Sequence, residues 1–167
     1  MRPRHESAVP PFAVRPARPE DRAAVLALVP RLRAFGPSPL RTPEAMDAGE
    51  ERTLNRYFDE APEAETVLVA EGADGEILGL AHGEPSVDYF TRETHGHLGI
   101  LAVAAEAEGR GVGRALAAAV EDWAAARGYR FVTLNVFARN AHAIAFYERA
   151  GYSPDAVKYV KELAPPR

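Results

Sequence analysis

Between Leu101 and Leu116 the sequence reads LAVAAEAEGRGVGRAL, an apolar run that enters glycines at alternate positions 109, 111 and 113 and continues as an alanine-rich stretch to Arg127. The apolar run predicts a strand and the alanine-rich stretch a helix from about Gly111 to Arg127. A glycine turn at a helix start points several backbone N–H groups at one place, and the helix dipole adds positive potential there. That combination suits a phosphate or pyrophosphate. Glycine is required because a side chain would hold the anion off the backbone or forbid the turn's dihedral angles.

Two nucleotide motifs fail on their residues. A P-loop ends Gly-Lys-Ser/Thr, whereas Gly113 is followed by Arg114 and Ala115. A dinucleotide fingerprint needs G-x-G-x-x-G, with an acidic residue at the end of the next strand. Here the third glycine comes one residue early, and the next strand reads Phe131-Val132-Thr133-Leu134-Asn135-Val136. A plain glycine-rich turn with no ligand is the alternative.

The chain has 167 residues and no cysteine, which suits one domain and excludes disulfides, thiolate metal sites and a cysteine nucleophile. A net charge of −4 argues against nucleic acid or an anionic membrane as general partner. No apolar run reaches transmembrane length and the N-terminus lacks a signal-peptide core, so the expected location is cytoplasmic.

Residues 1–11 read as a disordered tail, and 12–167 as a single domain. A short strand at Phe12–Arg15 is expected, then a helix near 20–33 carrying Val25, Leu26, Leu28, Val29 and Leu32 as its apolar stripe. Gly36 to Pro39 breaks the chain. A second helix starts at Thr42-Pro43-Glu44, with Thr42 as cap, and runs to about Phe58. Strands follow at Thr66–Ala70 and Ile77–Gly83, the second able to reach Tyr89, joined by a Gly72–Gly75 turn. A further strand covers His95–Val103. In the helix after the glycine loop, Leu116, Ala119, Val120 and Trp123 form the buried stripe, and a last strand is expected near Val157–Leu163.

Beyond the 131–136 strand the chain reads Asn140-Ala141-His142-Ala143-Ile144-Ala145-Phe146-Tyr147-Glu148-Arg149-Ala150-Gly151-Tyr152. With the glycine loop, this resembles the GNAT superfamily of acetyl-CoA-dependent N-acetyltransferases. That family carries R/Q-x-x-G-x-G/A, a helix, a strand, and N-x-x-A-x-x-F-Y-x-x-x-G-F/Y. Element order agrees over 12–163, and the specific motifs lie between 97 and 152. The resemblance implies an α/β (α+β) fold, a mixed, mostly antiparallel central sheet flanked by helices in the order β-α-α-β-β-β-α-β-α-β. One departure is Glu108 at the R/Q position. Its side chain is expected to point into solvent, with Arg110 and Arg114 offsetting its charge.

The resemblance also implies a site. Leu101, Ala102 and Val103 would hold the pantetheine arm like an added strand, the Val103 amide polarising the thioester carbonyl. The pyrophosphate would lie on amides from Gly109 through Arg110, Gly111, Val112 and Gly113 to Arg114. Asn140 matches the asparagine that binds the pantetheine region, although a helix cap alone would explain it. Tyr147 matches the tyrosine that protonates the leaving thiolate; a phenol, with pKa near ~10, is a suitable donor. The alternative for Tyr147 is a core tyrosine.

For the general base, His97 occupies a strand position where members place a catalytic glutamate. Glu84 and Asp88 are alternatives. His95 and His97 share a strand face, but with no cysteine or carboxylate partner no metal is expected. Asn135 stands where members acting on ribosomal-protein N-termini carry a glutamate base, which weakens that substrate class. Acceptor specificity is assigned to 34–60 and 84–95, where Glu50, Glu51, Asp59 and Glu60 would form either an acidic pocket or one solvated helix face. The expected partners are acetyl-CoA and an amine of a small molecule or peptide, and a homodimer is expected through the edge of the last strand. The competing function is a non-catalytic acyl-CoA-binding sensor or scaffold.

Overall fold

The computed structural model describes residues 11–36 and 40–163. The expected N-terminal tail lies, except for Pro11, outside them. β1 (Phe12–Pro16) pairs antiparallel with β2 (Thr66–Gly72) from Phe12↔Gly72 to Pro16↔Leu68. β2 pairs with β3 (Ile77–Val87), and β3 with β4 (Thr94–Val103), both antiparallel. β5 (Val132–Leu134) closes the sheet in the order β1-β2-β3-β4-β5, and it alone runs parallel to its neighbour. The parallel pairing follows from the intervening helix, which returns the chain to the same end of the sheet.

The helix expected over 20–33 is three pieces: a 3₁₀ turn at Pro19–Asp21, α1 (Arg22–Ala27), and a second 3₁₀ turn at Val29–Arg33. Pro30 is the cause, since it lacks the N–H for a continuing helical bond and its ring crowds the carbonyl four residues back. α2 (Pro43–Glu60) starts as expected, with Thr42 Oγ1 accepting from the Ala45 amide at 3.1 Å. Arg15 of β1 ties the entry together, donating to Glu71 at 2.8 Å and to the buried Asp21 at 2.7 Å.

α3 (Val112–Ala126) lies across β2, β3 and β4, burying Leu116 and Val120 together with Val112, Ala117 and Ala124. Ala119 and Trp123 of the expected stripe are only partly buried. α4 (Ala141–Arg149) follows β5. Among the described residues no helix is long and apolar enough to cross a membrane.

The last strand does not form. Residues 154–163 make no ladder, and Val157, Tyr159 and Leu163 are exposed. Alternating β-formers become a strand only where a neighbour accepts their hydrogen bonds, and none does so among the described residues. The dimer edge expected there is therefore not built by this chain alone.

Candidate active site

The site begins with a ladder that stops early. β5 pairs with β4 only from Gly96 to Leu98, so β4 continues to Val103 with no strand paired on that side among the described residues. A register shift between His82 and Gly83 leaves Gly99 without a partner: Leu98 faces Gly83, and Ile100 faces His82. Such a bulge bends the strand and inverts its alternation of faces. β5 ends level with it, at Leu134, while β4 stays paired with β3 as far as Val103. Ala104 donates to the Leu78 carbonyl at 2.9 Å, so by alternation Val103 and Leu101 turn their main-chain groups into the gap, while Ala102 faces β3.

The gap leads to the glycine loop. Gly109 and Gly111 have φ of +72° and +82°, which only glycine adopts at low cost. Gly111 caps α3 with no side-chain hydrogen bond, and the first helical bond is from Ala115 N–H to the Gly111 carbonyl at 3.0 Å. The amides of Val112, Gly113 and Arg114 precede it and so have no intrahelical acceptor. A methyl group on Gly109 or Gly111 would meet nothing within 4 Å, whereas one on Gly113 would lie 3.5 Å from Val103 and 3.6 Å from Phe146. The loop is thus open outward, and its helix start abuts both β4 and α4. Glu108 is exposed as expected, but its charge is offset by Arg31 rather than by Arg110 or Arg114. Arg31 sits on the second 3₁₀ turn beside the end of β4, and it also donates to the Val103 carbonyl at 3.2 Å.

Asn140 caps α4, its side-chain oxygen accepting from the Ala143 amide at 3.1 Å. That leaves its amide nitrogen to donate elsewhere. Tyr147, half-buried on α4, packs edge-on against Phe146 and Tyr152, and its hydroxyl makes no hydrogen bond among the described residues. Burial pushes the phenol up to about 12, so it keeps its proton throughout the neutral range. Phe35, before α2, stacks on Phe137, after β5, at 5.2 Å, linking the two connections that flank the gap.

His97 Nδ1 lies 2.9 Å from Thr133 Oγ1, and His95 Nε2 lies 3.1 Å from the same hydroxyl. His95 is buried and stacked on Phe131, whereas His97 is partly exposed and directly opposite Glu84. Burial pushes the His97 imidazole below its ordinary value, against the opposing pull of Glu84. Asp88 is occupied differently. It accepts from the Thr91 amide and hydroxyl and the Phe90 amide within the β3–β4 turn, bonds that hold its carboxyl below the usual range.

Of the two alternatives for the acidic residues of α2, a pocket does not assemble among the described residues. Asp59 pairs with Arg22, Glu60 lies 3.8 Å from Arg56, and Glu51 is exposed. Glu50 is partly buried, and that burial pushes its carboxyl up.

Sequence reasoning passed over His82, Glu65 and Arg56. His82 is fully buried on β3, with Nε2 2.9 Å from Glu65 Oε2. Arg56 donates to both oxygens of Glu65 at 2.8 and 2.7 Å. Burial opposes ionisation of Glu65, but the bonds from Arg56 and His82 outweigh it and hold the carboxyl below its usual range. The signal was a lone histidine in the otherwise apolar run Leu78 to Gly83, where a polar residue needs a partner. Glu65, His82 and Glu84 each bring one ligand-type atom within 4.8 Å of the others. Arg56 already occupies both oxygens of Glu65, so a cation there would have to displace a guanidinium.

The comparisons agree with this geometry. The Acetyltransferase (GNAT) family model matches residues 34–152. A mycothiol acetyltransferase of Clavibacter sepedonicus is 34% identical over 125 residues, 75% of this chain and 38% of that protein. A second, from Beutenbergia cavernae, is 45% identical over 62 residues, 37% of this chain and 21% of that protein. The chain therefore spans well under half the length of these relatives. Among solved structures, a putative acetyl transferase from Pyrococcus furiosus has a TM-score of 0.74 at 22% identity, covering 91% of this chain and 99% of that one. An aminoglycoside 6′-N-acetyltransferase from Acinetobacter baumannii has a TM-score of 0.70 at 15% identity, covering 92% and 99%. A parted β4–β5 pair, an uncapped glycine-started helix and a family match over most of the sequence place this chain in the GNAT acetyltransferase family.

Proposed function

We propose that this chain moves the acetyl group of acetyl-CoA to a primary amine of a small molecule or peptide, by direct attack while both are bound. The carrying observation is the unpaired run of β4, at Leu101 and Val103, that leads straight to the uncapped start of α3. Acetyl-CoA supplies the activated thioester. In this reading the amides from Gly109 to Arg114, with the Arg110 and Arg114 side chains, hold the pyrophosphate. Leu101 and Val103 bond the pantetheine arm, the Asn140 amide nitrogen donates to it, and the Val103 N–H polarises the thioester carbonyl.

Tyr147 gives its proton to the thiolate. Its raised pKa means that the phenol is fully protonated at neutral pH and so carries the proton to be given. His97 takes the proton of the ammonium through Nε2, since Nδ1 is engaged with Thr133. The lowered His97 value keeps the imidazole neutral, and so able to accept, at and somewhat below neutral pH. The test is incubation with acetyl-CoA and separate panels of small-molecule and peptide amines, with the acetylated amine identified by mass spectrometry. Acetyl-CoA binding without any acetylated product would favour the sensor or scaffold reading.

A further inference from the structure

Glu108 puts a carboxylate close to the start of α3, where uncapped amides attract anions. The chain answers that charge from a distant segment. Arg31 pairs with Glu108 through Nη2, and its Nε donates to the Val103 carbonyl at 3.2 Å. Ala104 is bonded to Leu78 of β3, so the Val103 carbonyl faces the edge of β4 that β5 leaves unpaired, and the guanidinium lies on that edge. Val103 also reaches the helix start, since a methyl group on Gly113 would stand 3.5 Å from its side chain. Arg31 therefore sits where the free edge of β4 meets the glycine loop. A ligand that spans the two must pass it.

The guanidinium is not used up by these contacts. It has five N–H donors, of which Nε–H is on Val103 and Nη2 is on Glu108, while Nη1 makes no hydrogen bond among the described residues. The Arg31 side chain is 32% exposed and that of Glu108 58%, so solvent screens the pair and its partners can exchange. A diphosphate offers the same planar fork several negatively charged oxygens at once. The Nε bond to a main-chain carbonyl can hold the stem while the Nη atoms change partner. A simple staple between the 3₁₀ turn and the loop would use the same contacts. The two differ in the part played by Glu108: a staple needs it, and anion binding is opposed by it.

We propose that Arg31 is a further cofactor-binding residue, held on Glu108 in the free protein and turned onto the diphosphate of acetyl-CoA when that binds. Glu108 is then a built-in competitor. It occupies the arginine and repels the diphosphate, and so restrains affinity for the cofactor. The inference rests on the proposed use of acetyl-CoA. It adds to that reading a binding residue far from the glycine loop in sequence and a contact that must break for the cofactor to be held fully.

The test is calorimetric titration of the full chain with CoA in the parent, Arg31→Ala, Arg31→Gln and Glu108→Gln, with thermal melts alongside. Arg31→Ala should weaken binding by roughly ten- to hundredfold, the loss of a hydrogen bond to a charged group. Arg31→Gln keeps a donor for Val103 but not the charge, and should lose nearly as much. Glu108→Gln should bind CoA about two- to fivefold more tightly, the worth of an exposed ion pair released. Melting temperatures should stay close to the parent's, because the pair is exposed. A staple moves both positions in the same direction. Weaker or unchanged binding in Glu108→Gln, or unchanged binding in Arg31→Gln, would overturn the inference. If the parent binds CoA and these results follow, only the role of Arg31 falls and the proposed acetyl transfer stands; a parent that does not bind CoA removes both.

Discussion

Gly111 and Gly113 look interchangeable in the sequence, yet the structure gives them opposite sensitivities. Gly111 has φ +82°, and a methyl group there meets no atom within 4 Å. Gly111→Ala therefore carries only the backbone cost, about 1–2 kcal/mol for a left-handed L-residue. At roughly 2–4 °C per kcal/mol for a domain of this size, Tm should fall by about 2–8 °C and the fold should survive. Binding should suffer more. The methyl stands in the open space at the start of α3, where an anion would approach the amides of Val112, Gly113 and Arg114. Losing one hydrogen bond to a charged group costs about 1.5–3 kcal/mol, or roughly ten- to hundredfold in Kd. Gly113 lies inside α3, and its added methyl makes ordinary contacts with Val103 and Phe146. Gly113→Ala should bind acetyl-CoA as the parent does, and the better helix former can add up to about 1 kcal/mol of stability. Calorimetric titration with acetyl-CoA, alongside thermal melts, decides the matter. Equal affinity in Gly111→Ala and parent would refute the anion site, and a Gly113→Ala protein that loses binding would refute the distinction between the two positions.

Tyr147→Phe keeps the ring and removes the hydroxyl, so steady-state kinetics should show kcat reduced by about 10²–10⁴-fold with acetyl-CoA affinity little changed; a loss below about threefold would return Tyr147 to a packing role. For His97, burial lowers the pKa, so the acidic limb of the pH–rate profile should fall below the free-imidazole value of about 6.5. His97→Gln should abolish that limb, and a limb surviving at the same pH would exclude His97 as base and turn attention to Glu84. Asp21→Ala leaves the partly buried Arg15 without one of its two carboxylates and should cost about 3 kcal/mol by denaturant titration. The Arg15 hydrogen bond depresses the Asp21 carboxyl, so its stabilisation is full above the unfolded carboxylate range and is lost as pH falls through the lower folded value. A parent protein that loses no more stability than Asp21→Ala on acidification would contradict that assignment.

How far the sequence revealed these features depended on the range of the physics behind each. The glycine turn, the Thr42 and Asn140 caps and the order of strands are set by neighbours a few residues away, and they were legible. Pro30 was equally legible as a helix breaker, and the helix expected over 20–33 ignored it. The bulge at Gly99 could not be read, because it depends on the register between β3 and β4, and a one-residue slip changes which side chains share a face. The pairing of Arg31 with Glu108 and of Glu65 with His82 joins segments distant in sequence, and no local pattern announces either. The strand expected at 157–163 failed for the opposite reason, since its alternation was real but lacked a partner.

The most direct measurement of the central claim is thiol release with a disulfide reagent, made clean by a chain that contains no cysteine of its own. With acetyl-CoA and a panel of primary amines, the account predicts thiol release that depends on the amine and matches the acetylated amine mole for mole. Acetyl-CoA that binds at the α3 start but releases no thiol beyond the amine-free rate, for any amine in the panel, would contradict it.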